Sequence, residues 1–494
     1  MNLSMIDVVV VVGYIILIYS IAIGANRFMK RRPNGRDNSV ENHYLAGKTI
    51  TFWEALLSIV ATEFSAMAFL IIPTYVYFEN LSYLRFIIGA CISRAIIAFF
   101  FLPYVYGKGL TIFEVLARGI HGYKVLRKDG EKGKKTFATF YVVSKLVGVS
   151  VKLLGGAMLI SEFFNTSLFI AIVIVASLTY CYILVGGLKA VVRTDMLQAS
   201  IFILGGIGAH YVIGKMSPFS WGELVSLGYK SGKFQLWEDT LGFMNFFYGI
   251  LAGIAYDAAT HGVDQDLTQK LFGAESKKTA QRALAWSAVG SFLVNMIFLS
   301  LGVVLWAFYN KQGMKIPAPE KMFSDLIEFH FPSPLKGLMV ASILAASMST
   351  LDSSINALSS VLWNDILKIE RTKMPRLYIN LDNFIITLGI VFVSYVFSLI
   401  PGAMKFGMQF AYLTTAPLLA FFLCRMLFSK YIMINFNPFL IMMSFGFTFL
   451  GMGINHFRLG FNPQLTILWG IITTVIFMWV YSKISIFFNT SENS

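Results

Sequence analysis

Apolar runs about as long as a membrane crossing recur from one end of this 494-residue chain to the other. One of them, FLVNMIFLSLGVVLWAFY over 292–309, contains no charged residue. A helix needs about 20 such residues to cross a hydrocarbon layer about 30 Å thick. Inside that layer each segment must satisfy its own backbone N–H and C=O groups, which leaves helices or a closed barrel. Barrel strands read as alternating segments of about ten residues, and these unbroken runs exclude them. The chain therefore reads as an all-α polytopic membrane protein. Composition agrees, with 56% hydrophobic and 13% charged residues against about a quarter charged in soluble domains.

Thirteen apolar segments are expected, at about 5–25, 53–77, 84–105, 137–160, 167–185, 195–214, 242–260, 283–309, 335–363, 377–399, 406–424, 437–454 and 464–482. An odd number of crossings puts the termini on opposite sides. Lys and Arg are about threefold enriched in every second loop, so the positive-inside rule sets the N-terminus outside and the C-terminus in the cytoplasm of a plasma (inner) membrane. The net charge of +14 is thus a topology signal and implies no nucleic-acid partner. The most basic inner loop, 108–135, includes Lys124, Arg127, Lys128, Lys132, Lys134 and Lys135 and reads as a solvated face. The first run, 6–25, lacks a basic leader and is followed by Arg27, Lys30, Arg31 and Arg32, so it stays in the protein as a helix.

No loop has room for a soluble domain, and no Pro- or Gly/Ser-rich linker divides the chain, so 1–494 is expected to be one membrane domain. If helices two to eleven form two five-helix halves, over 53–214 and 242–424, each half crosses an odd number of times and the second runs inverted. The run at 5–25 is then an extra N-terminal helix, and 437–482 supplies two extra C-terminal ones. The first helix of each half is the one expected to be broken around a ligand.

Polar residues inside these runs carry the chemistry. Ala346, Ser349, Thr350, Ser353 and Asn356 share one face of the ninth segment. Such a stripe serves close helix packing or a cation site, where two adjacent hydroxyls and carbonyls freed by a helix break hold Na⁺ without formal charge. In the second segment Glu63 lies near mid-membrane, ten residues before Pro73, which invites local unwinding. An intramembrane carboxylate is costly unless paired, so Glu63 is either a ligand group or half of an ion pair. Arg94, Lys145, Lys152, Asp195 and Asp257 stand out for the same reason, with Lys145 and Lys152 seven apart on one face. Cys91, Cys181 and Cys424 are widely separated in apolar stretches and read as core residues, suggesting neither disulfide nor metal.

The stretch Gly186-Gly-Leu-Lys-Ala-Val-Val-Arg-Thr-Asp195-Met-Leu-Gln198 resembles the signature of the sodium:solute symporter family. Ala61-Thr-Glu-Phe-Ser-Ala resembles that family's first core helix. Asp264-Gln-Asp-Leu-Thr-Gln269, with Ala274-Glu-Ser-Lys-Lys, resembles the loop after its sixth, and the Ser349–Thr350 stripe its eighth. The resemblance runs over about 40–430 in family order; the last two helices carry no motif. It implies the inverted five-plus-five fold of leucine-transporter-like proteins. A shared sodium site would use the carbonyls of Ala61, Phe64 and Ala346 and the hydroxyls of Ser349 and Thr350. A second sodium, as in some members, would lie near Asp195, faced by Ser349, Asp352 and Ser353, with Asp352 replacing the usual small hydroxyl residue. The matching substrate pocket holds Glu63, Lys152 and Asp257, with His261 near its inner end as a structural group and Thr260 where an aromatic gate is frequent. This charged pocket would suit a zwitterion or an amine, or a sugar or polyol if Glu63 and Lys152 neutralise each other.

The implied function is sodium-coupled symport of a small polar solute, an amino acid, sugar, polyol or carboxylate, by alternating access. The expected partners are that solute, sodium and the lipid bilayer around a monomer, with no cofactor beyond the coupling ion. Proton coupling in the same fold is the nearest alternative, kept open by Glu63 and Asp257. A membrane enzyme is disfavoured because no His/Cys/Asp cluster stands at ligand spacing. A sensor is disfavoured by the short tail after the last helix.

Overall fold

Segments that cannot reach water close their backbone hydrogen bonds internally, and in the computed structural model of the protein each of the thirteen apolar segments contains helix. The structure describes residues 3–30, 40–118, 127–237, 242–313, 322–367, 376–411, 414–427, 438–458 and 463–491. Lys124, Arg31 and Arg32 of the basic loops lie outside these residues. The main helices are α1 (Met5–Lys30), α2 (Phe52–Glu63), α3 (Ala66–Phe78), α4 (Leu84–Ile96), α5 (Arg127–Phe164), α6 (Leu168–Met216), α7 (Gly242–Asp257) and α8 (Gln265–Phe272). They are followed by α9 (Lys277–Gln312), α10 (Leu335–Val361), α11 (Arg376–Ser398), α12 (Ala403–Ala411), α13 (Thr415–Leu427), α14 (Pro438–Arg458) and α15 (Pro463–Ser491). Short helices, such as Ile112–Arg118 and Trp221–Lys230, connect them.

Among the described residues seven helical stretches are long and apolar enough to cross a membrane alone, and Thr415–Leu427, Pro438–Gly451 and Ile467–Lys483 are shorter apolar helices. At about 1.5 Å per residue, the 49 residues of α6 are too long for one crossing. The backbone breaks inside it at Gly187 (φ 57°, ψ −156°), in the Gly186-Gly187 pair between the two expected segments. A side chain there is excluded twice over, by the positive φ and by His43, whose carbonyl oxygen would sit 2.8 Å from a Cβ.

The helix beginning at Phe52 also breaks, but not at its proline. Residues Phe64 (ψ 112°) and Ser65 (ψ 168°) are extended and separate α2 from α3, whereas α3 runs through Pro73 unbroken. The expectation that Pro73 unwinds the helix is thus corrected. The break falls eight to nine residues earlier and leaves the last carbonyls of α2 without intrahelical partners. The counterpart at α7 is a π-helical turn over Ala258–Gly262, followed by non-helical Val263 and Asp264 before α8.

Helix α10 is the axis of the bundle: 94% of its most apolar stretch is buried, against 28% in α1. α5 reaches it through Gly156, where a Cβ would come 2.1 Å from Ser347 Oγ. α4 and α7 meet through a reciprocal pair of glycines. A Cβ on Gly89 would lie 2.1 Å from the Ile250 carbonyl oxygen, and one on Gly253 equally close to that of Phe86. Small residues let membrane helices approach to backbone contact, and here that contact sets Arg94 of α4 beside Asp257 of α7. Gly89→Val should lower stability by about 3 kcal/mol, the upper range of overpacking. In a detergent thermal melt this appears as a clear fall in midpoint, while Gly446→Ala, where a Cβ meets nothing within 4 Å, should leave the midpoint unchanged. Of the three cysteines Cys424 is buried and Cys91 half-buried. Cys181 is exposed on the outer face of α6, which corrects its reading as core.

Candidate functional site

The break in α2 faces the small-residue stripe of α10. Ser349 Oγ donates to the Ala61 carbonyl oxygen at 3.1 Å and lies 3.2 Å from that of Ala346, which also accepts from Thr350 Oγ1 at 3.2 Å. A cavity of about 10 Å³ opens at this point, lined by Val60, Ala61, Phe64, Gln198, Ala346 and Ser349 among others. That is room for about one water-sized sphere. Four of the five residues expected at the first sodium site line it, and the fifth, Thr350, is the next residue on α10. The donor set is uncharged oxygen throughout, the chemistry a hard monovalent cation accepts at an unwound helix. Phe64, Phe69, Phe202 and Phe298 cluster on one side of it, with ring centroids 4.5–5.5 Å apart.

Asp195, fully buried on α6, faces the same region and is already paired. Its Oδ2 accepts from Lys270 Nζ at 2.8 Å and from Ser58 Oγ at 2.5 Å. Lys270 also donates to the Ser58 carbonyl at 3.2 Å and to the Thr62 hydroxyl. Thr62 is 3.2 Å from Ser353 Oγ, which donates to Asp352 Oδ1 at 3.1 Å, and Tyr182 donates to Asp352 Oδ2 at 2.5 Å. Three of the four residues expected around a second sodium, Asp195, Asp352 and Ser353, are therefore brought together with the ammonium of Lys270 among them, while Ser349 is turned to the Ala61 and Ala346 carbonyls.

The expected substrate residues separate into two places. Arg94, 1% exposed, donates to Glu63 Oε1 at 2.6 Å and to Asp257 Oδ1 at 3.1 Å. Its remaining bonds go to the Ser287 carbonyl at 3.1 Å and to Ser291 Oγ at 2.6 Å. Ser291 in turn donates to the other oxygen of Glu63. His261 Nδ1 lies 2.9 Å from Asp257 Oδ1, one π-helical turn along, and Thr260 hydrogen-bonds the Tyr256 carbonyl. Glu63 and Asp257 are thus held by one guanidinium rather than by Lys152. On α5, Lys145 bridges Asp264 at 2.8 Å and Asp266 at 2.7 Å. Lys152, two turns further on, is half-buried, and no carboxylate among the described residues pairs with it. Asp266, Asp264 and Glu63 act on it through space only, each already held by another cation.

Lys270, Ser58, Tyr182 and Ser291 escaped the sequence reading. Lys270 had a usable signal, a lysine directly after the Asp264–Gln269 stretch on a short helix that is buried along its whole length. The two hydroxyl residues and the tyrosine had none, since such residues are common in apolar helices.

Residues 43–433 match the model of the sodium:solute symporter family. The chain belongs to the sodium:solute symporter family. Its members among the curated proteins include the Homo sapiens sodium/iodide cotransporter, 24% identical over 69% of this chain and 53% of that protein. The Vibrio parahaemolyticus sodium/glucose cotransporter is 25% identical over 74% and 69%. The match thus takes in about half of the human relative. A solved structure of a Na⁺-coupled sialic acid symporter in a substrate-bound outward-open state superposes with a TM-score of 0.83 at 18% identity, over 98% of both chains. That likeness establishes the leucine-transporter-like fold of the protein. As a member of this family of membrane transporters, the protein is an integral membrane protein and not an enzyme.

Proposed function

We propose that this sodium:solute symporter couples one small organic solute bearing an anionic group to inward sodium movement by alternating access. The N-terminus is outside, and the halves 53–214 and 242–424 move against each other. The observation that carries the reading is the small cavity between the broken α2 and α10, at the point where the Ser349 hydroxyl meets the Ala61 and Ala346 carbonyls. Sodium there ties the two helices together, and the solute binds the same state, so each raises the affinity of the other.

Lys152 supports the anionic group. Glu63 and Asp257 are both engaged by Arg94, and Asp257 by His261 as well, so neither stands as an isolated carboxylate for an amine. The ammonium of Lys152 has no acid in contact and offers three donors to a carboxylate. The relatives do not decide the matter, since one is an iodide and another a glucose cotransporter. Proton coupling is the second reading, favoured by the buried carboxyl groups of Asp195 and Asp352.

The test is thermal stability of detergent-purified protein in sodium against choline chloride, with a panel of carboxylic acids, amino acids and sugars. Sodium should raise the midpoint, and a carboxylic acid should raise it further only when sodium is present. Lys152→Met should keep the sodium shift and weaken the carboxylate response by about tenfold or more, as for a lost hydrogen bond to a charged group. A response to sugars alone, untouched by that substitution, would overturn the anionic assignment.

A further inference from the structure

We infer that Lys270 supplies a built-in cation at the second ion position, so that the protein binds a single sodium ion. The inference rests on the sodium reading of the cavity beside it. A second sodium at Asp195 would need five or six oxygens from Asp195, Asp352, Ser353 and their neighbours. Most of these oxygens are already engaged by donors of the protein itself. Asp195 Oδ2 holds Lys270 Nζ at 2.8 Å and Ser58 Oγ at 2.5 Å. Both Asp352 oxygens accept protein hydroxyls, from Tyr182 and Ser353, and Ser353 is shared with Thr62.

The ammonium itself is coordinated as an ion would be, by a carboxylate, by the Ser58 carbonyl at 3.2 Å and by the Thr62 hydroxyl. Its side chain and that of Asp195 are both 0% exposed. Two charges desolvated to that extent are held only by good geometry and full hydrogen bonding, and Lys270 has both. Asp195 Oδ1 and the side-chain oxygen of Gln198, one turn along α6, lack partners, and two oxygens do not make a sodium site.

The placement has a consequence for coupling. Lys270 is carried on α8, and its ligands come from α2 and α6, so a tethered charge joins three helices where a free ion would join and leave. It cannot dissociate, and it adds nothing to the charge that crosses the membrane. With one sodium and a monovalent anionic solute, the loaded carrier moves no net charge.

The experiment counts radioactive sodium bound per chain at saturation on the full-length detergent-purified protein, with no solute added. The expected count is one in the wild type, and Ser349→Ala should need roughly 10- to 150-fold more sodium to reach it. Asp195→Asn should still bind one, because Asp195 serves Lys270 rather than sodium. Lys270→Ala, which vacates the pocket and leaves the carboxylate, should bind two. A count of two in the wild type, a loss of the ion in Asp195→Asn, or a count that stays at one in folded Lys270→Ala would overturn the assignment of Lys270. A wild-type count of zero would instead sink the sodium reading itself, and this inference with it. If Lys270→Ala does not fold, the wild-type and Asp195→Asn counts decide.

Discussion

Ser349→Ala should abolish sodium-dependent stabilisation and sodium-stimulated uptake at millimolar sodium while leaving the fold intact. The hydroxyl reaches from α10 to the Ala61 carbonyl at 3.1 Å, so it stands where the two halves of the site meet. A hydrogen-bonding group serving a charge contributes about 1.5–3 kcal/mol, which corresponds to a roughly 10- to 150-fold loss in sodium affinity. The methyl group of alanine fits the space, and the broken end of α2 keeps its other contacts, so the melting midpoint in choline should not move. A sodium titration of the midpoint checks both parts. Sodium-stimulated uptake that survives in the variant at wild-type affinity would refute the placement of the ion.

Arg94→Met should have the largest effect on stability. One guanidinium holds Glu63 of α2 and Asp257 of α7, and it is 1% exposed. Removing one member of a buried ionic set leaves uncompensated charge at a cost of about 3–5 kcal/mol, a large share of the total stability of most proteins. The variant should purify poorly and melt well below the wild type. The triple variant Arg94→Met, Glu63→Gln, Asp257→Asn removes the stranded charges together and should recover most of the loss. Coupling of this size is expected among residues of one network, and additive losses in the triple variant would refute the bridging role.

The two predictions concern adjacent parts of one device. Residues 61–64 place a carbonyl of α2 against α10 and, two residues on, a carboxylate against α4. A movement of the broken helix away from α10 would therefore also pull on Arg94, and through it on α7. The close approaches of Gly89 to the Ile250 carbonyl and of Gly253 to that of Phe86 pack α4 directly against α7.

The sequence alone was sufficient for the class of fold and the position of most helices, because a bilayer admits so few solutions that apolar length nearly decides them. It also named residues that the structure brings together at the proposed first ion site, since they are close along two helices: Ala61 and Phe64 on one, Ala346, Ser349 and Thr350 on the other. It misplaced the break in the second segment. Proline is a local signal, but α3 tolerates Pro73, while the backbone opens at Phe64 and Ser65, where α10 and the phenylalanine cluster meet it. Charge pairing lay beyond the sequence altogether. Arg94 takes carboxylates 31 and 163 residues away, and Lys270 reaches Asp195 across 75. In a medium of low dielectric every such group must find a counter-charge, but which one it finds depends on helices meeting in three dimensions. Only the tertiary structure could show that Glu63 and Asp257 are spent, that Lys152 is left over, and that a lysine already stands where a second ion was expected.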